Sequence, residues 1–150
     1  MIEIREVTKK YGKFTAVDKL SMTVDKGSVY GLVGYNGAGK TTLLKTVAGI
    51  YRADGGSVTV DGVDVFNSAD VKRRMFYVPD DLYFNYNSSI EKMAKFYAGY
   101  YPKFSFETLD KLCGVFKLDK TARINSFSKG MQRQAAMILG MSTLPEILLL

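Results

Sequence analysis

The 150-residue chain contains no histidine, one cysteine and three prolines. Without histidine, most zinc sites and every His-based general base or triad are excluded. A single thiol, Cys113, cannot form an internal disulfide, which suits a reducing compartment. No apolar run approaches the roughly 20 residues that span a bilayer. The start, MIEIREVTKK, lacks the apolar stretch of a secretory leader. Repeats, low-complexity tracts and Pro/Ser linkers are absent as well. What is there is balanced: 47% apolar and 24% charged residues. That is enough apolar surface for one ordinary folded domain and too much for a disordered chain. The expectation is a soluble globular protein. The net charge of +6 is shared between both ends of the chain, not gathered in one block. It suits polyanionic ligands as a class, and no zinc-finger spacing or aromatic-interleaved basic repeat points to nucleic acid.

Along the chain, residues 2–24 alternate in β fashion, with Ile2 and Ile4, then Leu20, Met22 and Val24, broken by a turn at Tyr11-Gly12-Lys13. Ser28 to Val33 is a continuous apolar run, the pattern of a strand buried on both faces. From Gly39 to Ile50, Leu43, Leu44, Val47 and Ala48 recur at helical spacing. Gly55-Gly56 and Asp61-Gly62 read as turns around two short strands, 57–60 and 63–65. Met75 to Val78 is another strand, stopped by Pro79. The texture then becomes helical. Ser89 caps a helix whose Ile90, Met93, Ala94, Tyr97 and Tyr101 share a face. A second helix follows Pro102, a third runs from Ser128 to about Met141, and a last apolar strand follows Pro145. This order predicts an α/β core with a helical insertion.

One motif is highly specific. Gly34-Tyr35-Asn36-Gly37-Ala38-Gly39-Lys40-Thr41 matches G-x-x-x-x-G-K-[ST] at every fixed position. A chain of this composition would match it by chance about 0.02 times, and here a strand pattern precedes it and a helix pattern follows. Gly34, Gly37 and Gly39 can take backbone angles closed to other residues, so successive N–H groups turn inward on phosphate oxygens. The helix beginning near Gly39 points its positive end at the same anion. Lys40 adds a mobile cation for the β- and γ-phosphates. The Thr41 hydroxyl suits Mg²⁺, and the Thr42 hydroxyl lies near the α-phosphate.

With four further features in order, the whole chain resembles the ATP-binding cassette of ABC transporters. Tyr11, followed by Ala16-Val17, is similar to the family's aromatic loop, which implies that Tyr11 stacks on adenine and Val17 touches the nucleoside. Tyr77-Val78-Pro79-Asp80 resembles the strand entering the Q-loop, with Asp80 where the family carries glutamine. A carboxylate still ligates Mg²⁺ but cannot donate a hydrogen bond. Phe127-Ser128-Lys129-Gly130-Met131-Gln132 resembles the signature sequence, which implies that Ser128 and Gly130 act on ATP held by a second cassette. Leu144 to Leu150 looks like the strand that leads to the Walker B acid, and the chain stops at Leu150, just before that acid.

The resemblance implies an α/β fold: an incomplete phosphate-loop NTPase core, with an N-terminal antiparallel β subdomain and a helical insertion. The core is expected over 1–80 and 141–150 and the helical subdomain over 81–140. It implies ATP and Mg²⁺ as cofactors and a role as the subunit that powers a membrane transporter. The catalytic set is Lys40 and Asp80, with Ser128 and Gly130 serving the partner's ATP. Tyr11, Val17, Gly34, Tyr35, Asn36, Gly37, Ala38, Gly39, Lys40, Thr41 and Thr42 would bind nucleotide, and Thr41 and Asp80 the metal. Partners would be a second cassette and a transmembrane subunit, without nucleic acid. Location would be the cytoplasm, at the inner face of the membrane. The 150 residues are expected to bind ATP without hydrolysing it. The alternative is a soluble ABC-type ATPase acting on nucleic acid or the ribosome.

Overall fold

The alternation at the N-terminus builds a long antiparallel hairpin. In the computed structural model, which describes residues 1–150, β1 (Ile2–Tyr11) pairs with β2 (Phe14–Val24) from Ile2↔Val24 to Tyr11↔Phe14. The two-residue loop has Gly12 at φ +58°, the conformation that tight hairpin turns demand of their first central residue. β3 (Gly55–Val60) pairs with the other edge of β1, and β4 (Val63–Asp64) closes an antiparallel sheet of order β2-β1-β3-β4. Asp61 and Gly62 both take positive φ, at +50° and +80°, as a type I′ turn requires. Ile2, Ile4, Val58 and Val60 face one another across the ladder and are buried. Each such side chain contributes roughly 1.5–3 kcal/mol on leaving water.

Helix α1 (Lys40–Val47) buries Leu43, Thr46 and Val47 and touches β2. Together these elements form one compact unit, Met1–Lys72. Two expectations fail within it. Gly55-Gly56 is not a turn but the start of β3, opposite an irregularity in β1 between Arg5 and Thr8. Gly56 has φ +72°, and a Cβ there would strike the carbonyls of Arg5 and Glu6, so glycine serves a close strand contact. Ser28–Val33 is not a buried strand. It runs without a ladder partner, and Val29 and Val33 lie almost wholly in solvent. A strand is defined by what it pairs with; no strand in either sheet of the chain pairs with this one.

The second unit is Arg73–Leu150. β5 (Met75–Tyr77) and β6 (Ile147–Leu149) pair in parallel, Met75 with Ile147 and Tyr77 with Leu149. A short helix, α2 (Ala69–Arg73), leads into β5. Helices α3 (Ile90–Ala98), α4 (Phe106–Phe116) and α5 (Lys129–Ser142) enclose a core that includes Ile90, Leu109, Ile124, Ile138 and Leu139. Each helix is opened by a serine, and Ser89, Ser105 and Ser128 accept the N–H of the residue three further on. α5 lies against β5 through Gly140, where a Cβ would come within 2.6 Å of the Phe76 ring. The result is the α/β architecture expected, an incomplete phosphate-loop core joined to an antiparallel β subdomain and a helical insertion.

Candidate nucleotide-binding site

The loop Gly34–Gly39 runs into α1, whose N-cap is Gly39 at φ +84°. No side chain caps this end and no acidic residue stands in the first turn. The leading N–H groups of a helix have no partner within it. Here the first backbone bond back is Leu43 N–H to the Gly39 carbonyl at 2.8 Å. Gly37, at φ +86°, turns the preceding peptide, and Ala38 N–H closes the turn on the Tyr35 carbonyl at 3.2 Å. Gly39 is irreplaceable on steric grounds: a Cβ would collide with the Ala16 carbonyl and stand 3.5 Å from Val17 Cγ2. The loop is thus seated on β2 at Ala16-Val17. Lys40 Nζ bends over the loop and donates to the carbonyls of Gly34 (2.6 Å) and Tyr35 (2.8 Å). Thr41 is exposed beside it, and Thr42 is half-buried. An uncapped positive helix end, two left-handed glycines, a cation on the rim and no competing carboxylate form a cradle that fits a polyphosphate.

Tyr11 stands at the hairpin tip, half-exposed, with Tyr51 edge-on to it at 6.2 Å between centroids. Lys9 Nζ lies 6.0 Å from the Tyr11 ring centre and reaches the Asp54 carboxylate at 3.2 Å. The Lys10 N–H, at 2.6 Å from Asp54, and the Lys9 ammonium hold that carboxyl below its ordinary range. Tyr51, Asp54 and the Ala16 seat escape a sequence reading, because they are joined to Tyr11 and Gly39 only by the fold.

Asp80, Ser128 and Gly130 belong to the second unit, whereas Thr41 belongs to the first. Ser128 Oγ accepts the Met131 N–H at 3.3 Å as the N-cap of α5, and Gln132 Nε2 donates to the Phe127 carbonyl at 3.1 Å. Around Gly130 a Cβ would meet only Ser128 Oγ, at 3.9 Å. Asp80 is exposed and pairs at 3.5 Å with Arg133 Nη1, on α5 immediately after Gln132. A pair so open to water is weak. Arg133 lies 53 residues from Asp80, and only the fold brings the two together. No cluster of three or more His, Cys, Asp or Glu side chains is placed to hold a metal ion.

The ABC transporter family model matches residues 17–150. The chain belongs to the ABC transporter family. Over 150 residues, the whole of this chain, it is 29% identical to the ABC transporter ATP-binding protein YtrB of Bacillus subtilis (strain 168), covering 51% of that relative. The chain therefore spans about half the length of that curated relative. Among solved structures it superposes on the ATP-binding subunit of an ABC transporter with a TM-score of 0.87 at 21% identity, over 98% of this chain and 64% of the other. A dimeric bacterial ABC transporter cassette matches with a TM-score of 0.82 at 20% identity, over 99% and 72%. At such identities the likeness establishes the ABC cassette fold.

Proposed function

We propose that this chain is the nucleotide-binding part of an ABC-type ATPase subunit that powers a membrane transporter. The observation that carries the reading is the uncapped N-terminus of α1 behind Gly37 and Gly39, with Lys40 on its rim. ATP is the ligand: the loop residues Gly34 to Gly39, with Lys40 and Thr42, hold the phosphates, and Tyr11 and Val17 take the nucleoside. Mg²⁺, when bound, would neutralise phosphate charge, and the exposed Thr41 hydroxyl would be its protein ligand beside the loop. In the full protein, Ser128 and Gly130 face ATP on a second cassette. Support for that comes from the dimeric cassette that this chain resembles and from the empty space around Gly130. Residues 81–140 form the arm that meets a transmembrane subunit on the cytoplasmic face of the membrane. No observation favours nucleic acid as a partner.

Phosphoryl transfer in such enzymes is mostly positioning and charge stabilisation. Binding and turnover are separable in these 150 residues. The loop holds the phosphates, but no residue here is matched to a general base, so binding without turnover is expected. Equilibrium dialysis with labelled ATP and Mg²⁺ tests the reading. Lys40→Ala removes charge-assisted hydrogen bonds and should weaken binding about 10- to 100-fold. Equal affinity of the two proteins would overturn it.

A further inference from the structure

We infer that Phe14 is a second aromatic contact for the base of the bound nucleotide, resting on the nucleotide-binding reading above. Phe14 is the cross-strand partner of Tyr11, so the two rings leave the sheet on the same face. The register then shifts: Lys10 pairs with Thr15 and Lys9 with Val17, leaving Ala16 as the extra residue. That irregularity returns Val17 to the face of Tyr11 and Phe14. It also turns the Ala16 carbonyl to Gly39, where the phosphate loop is seated. The phosphate cradle and the two aromatic rings therefore lie along one face of β2. Phe14 is three residues, about 10 Å, from Val17, roughly the reach of a nucleoside from its phosphate.

The two rings differ in what already touches them. Tyr11 has Tyr51 edge-on and the Lys9 ammonium nearby, and is 46% exposed. Phe14 is 62% exposed, with no ring or cation against it. A phenylalanine so open at a hairpin tip contributes little to this unit's own core. Its apolar ring offers a flat surface to a purine, and it carries no hydrogen-bonding group to choose among bases. Phe14 accordingly adds affinity for nucleotides over bare polyphosphates, without preference between adenine and guanine.

The chain contains no tryptophan, so Phe14→Trp introduces a single indole reporter. Titrating it with MgATP should quench and shift the indole emission, whereas tripolyphosphate should leave the emission unchanged. In calorimetry, Phe14→Ala should weaken ATP and GTP binding about 5- to 20-fold, the loss of one base–aromatic stack, with tripolyphosphate affinity unchanged. Phe14→Tyr should restore it. Circular dichroism of each variant controls for folding. If the wild type binds ATP but Phe14→Ala binds it equally and the indole is silent, the inference is wrong. If the wild type binds neither ATP nor tripolyphosphate, the nucleotide-binding reading itself has failed.

Discussion

Two glycines illustrate what a single residue can contribute here. Gly39 is held at φ +84° against the Ala16 carbonyl, so Gly39→Ala meets both backbone strain and a collision with main chain. Left-handed backbone costs a non-glycine residue roughly 1–2 kcal/mol before any clash is counted. Gly39→Ala should therefore lower the melting temperature and abolish ATP binding together. Retention of wild-type affinity would show that the loop can be reseated. Gly130 is the opposite case: it sits in the first turn of α5 with space around it and nothing inside the chain that requires glycine. Gly130→Ala should stabilise the isolated chain by about 0.5–1 kcal/mol in denaturant titration and leave its own ATP affinity unchanged. If Gly130 faces ATP on a second cassette, as proposed above, the same substitution should cut the turnover of that dimer, because the added methyl group would enter the open space. The phosphate loop was legible because its chemistry needs fixed residues at fixed spacing. The Ala16–Gly39 seat and the Asp80–Arg133 pair were not, since each joins distant positions through tertiary contact alone.

Among the elements, those with a local cause were readable and those with a tertiary cause were not. Ser89 and Ser128 stand where the sequence pattern starts α3 and α5 and cap them by their own hydrogen bonds, whereas the start of α4 at Ser105, three residues past Pro102, emerges only in the structure. The hairpin of β1 and β2 follows from alternation and from Gly12. By contrast, Ser28–Val33 has the composition of a buried strand and no ladder, because pairing is supplied by a neighbour and not by the segment. Helix α2, of five residues, is shorter than any window in which periodicity can be seen. One element carries an avoidable cost: Gly114 lies inside α4 on its exposed face, and a Cβ there meets nothing within 4 Å. Gly114→Ala should stabilise the chain by about 1 kcal/mol. Differential scanning calorimetry should show a rise of about 2–4 °C. A lower melting temperature would mean that Gly114 answers a contact outside the helix.

For the molecule as a whole, the unpaired Ser28–Val33 segment is the main liability, with open backbone beside exposed Val29 and Val33. Such edges pair with other chains. Light scattering should show concentration-dependent association that Val33→Lys diminishes, and a monodisperse monomer at every concentration would contradict this. Acid should also weaken the fold. Asp54, Asp119 and Glu146 are each held below their ordinary pKa, chiefly by hydrogen bonds from Lys10, Thr121 and Arg74 respectively. Their contribution is fully present above the ordinary values of 3.8 and 4.5 and is lost as pH falls below them. Being exposed, these groups should produce a modest fall in melting temperature below about pH 4.5, against a plateau above it. The central claim is that backbone N–H groups of the phosphate loop and of the first turn of α1 hold the triphosphate. Amide hydrogen exchange with and without MgATP tests this most directly. Protection should rise at residues 36–42, and Lys40→Ala should need about 10- to 100-fold more MgATP to reach it. Exchange at those amides unaltered by saturating MgATP would contradict the account.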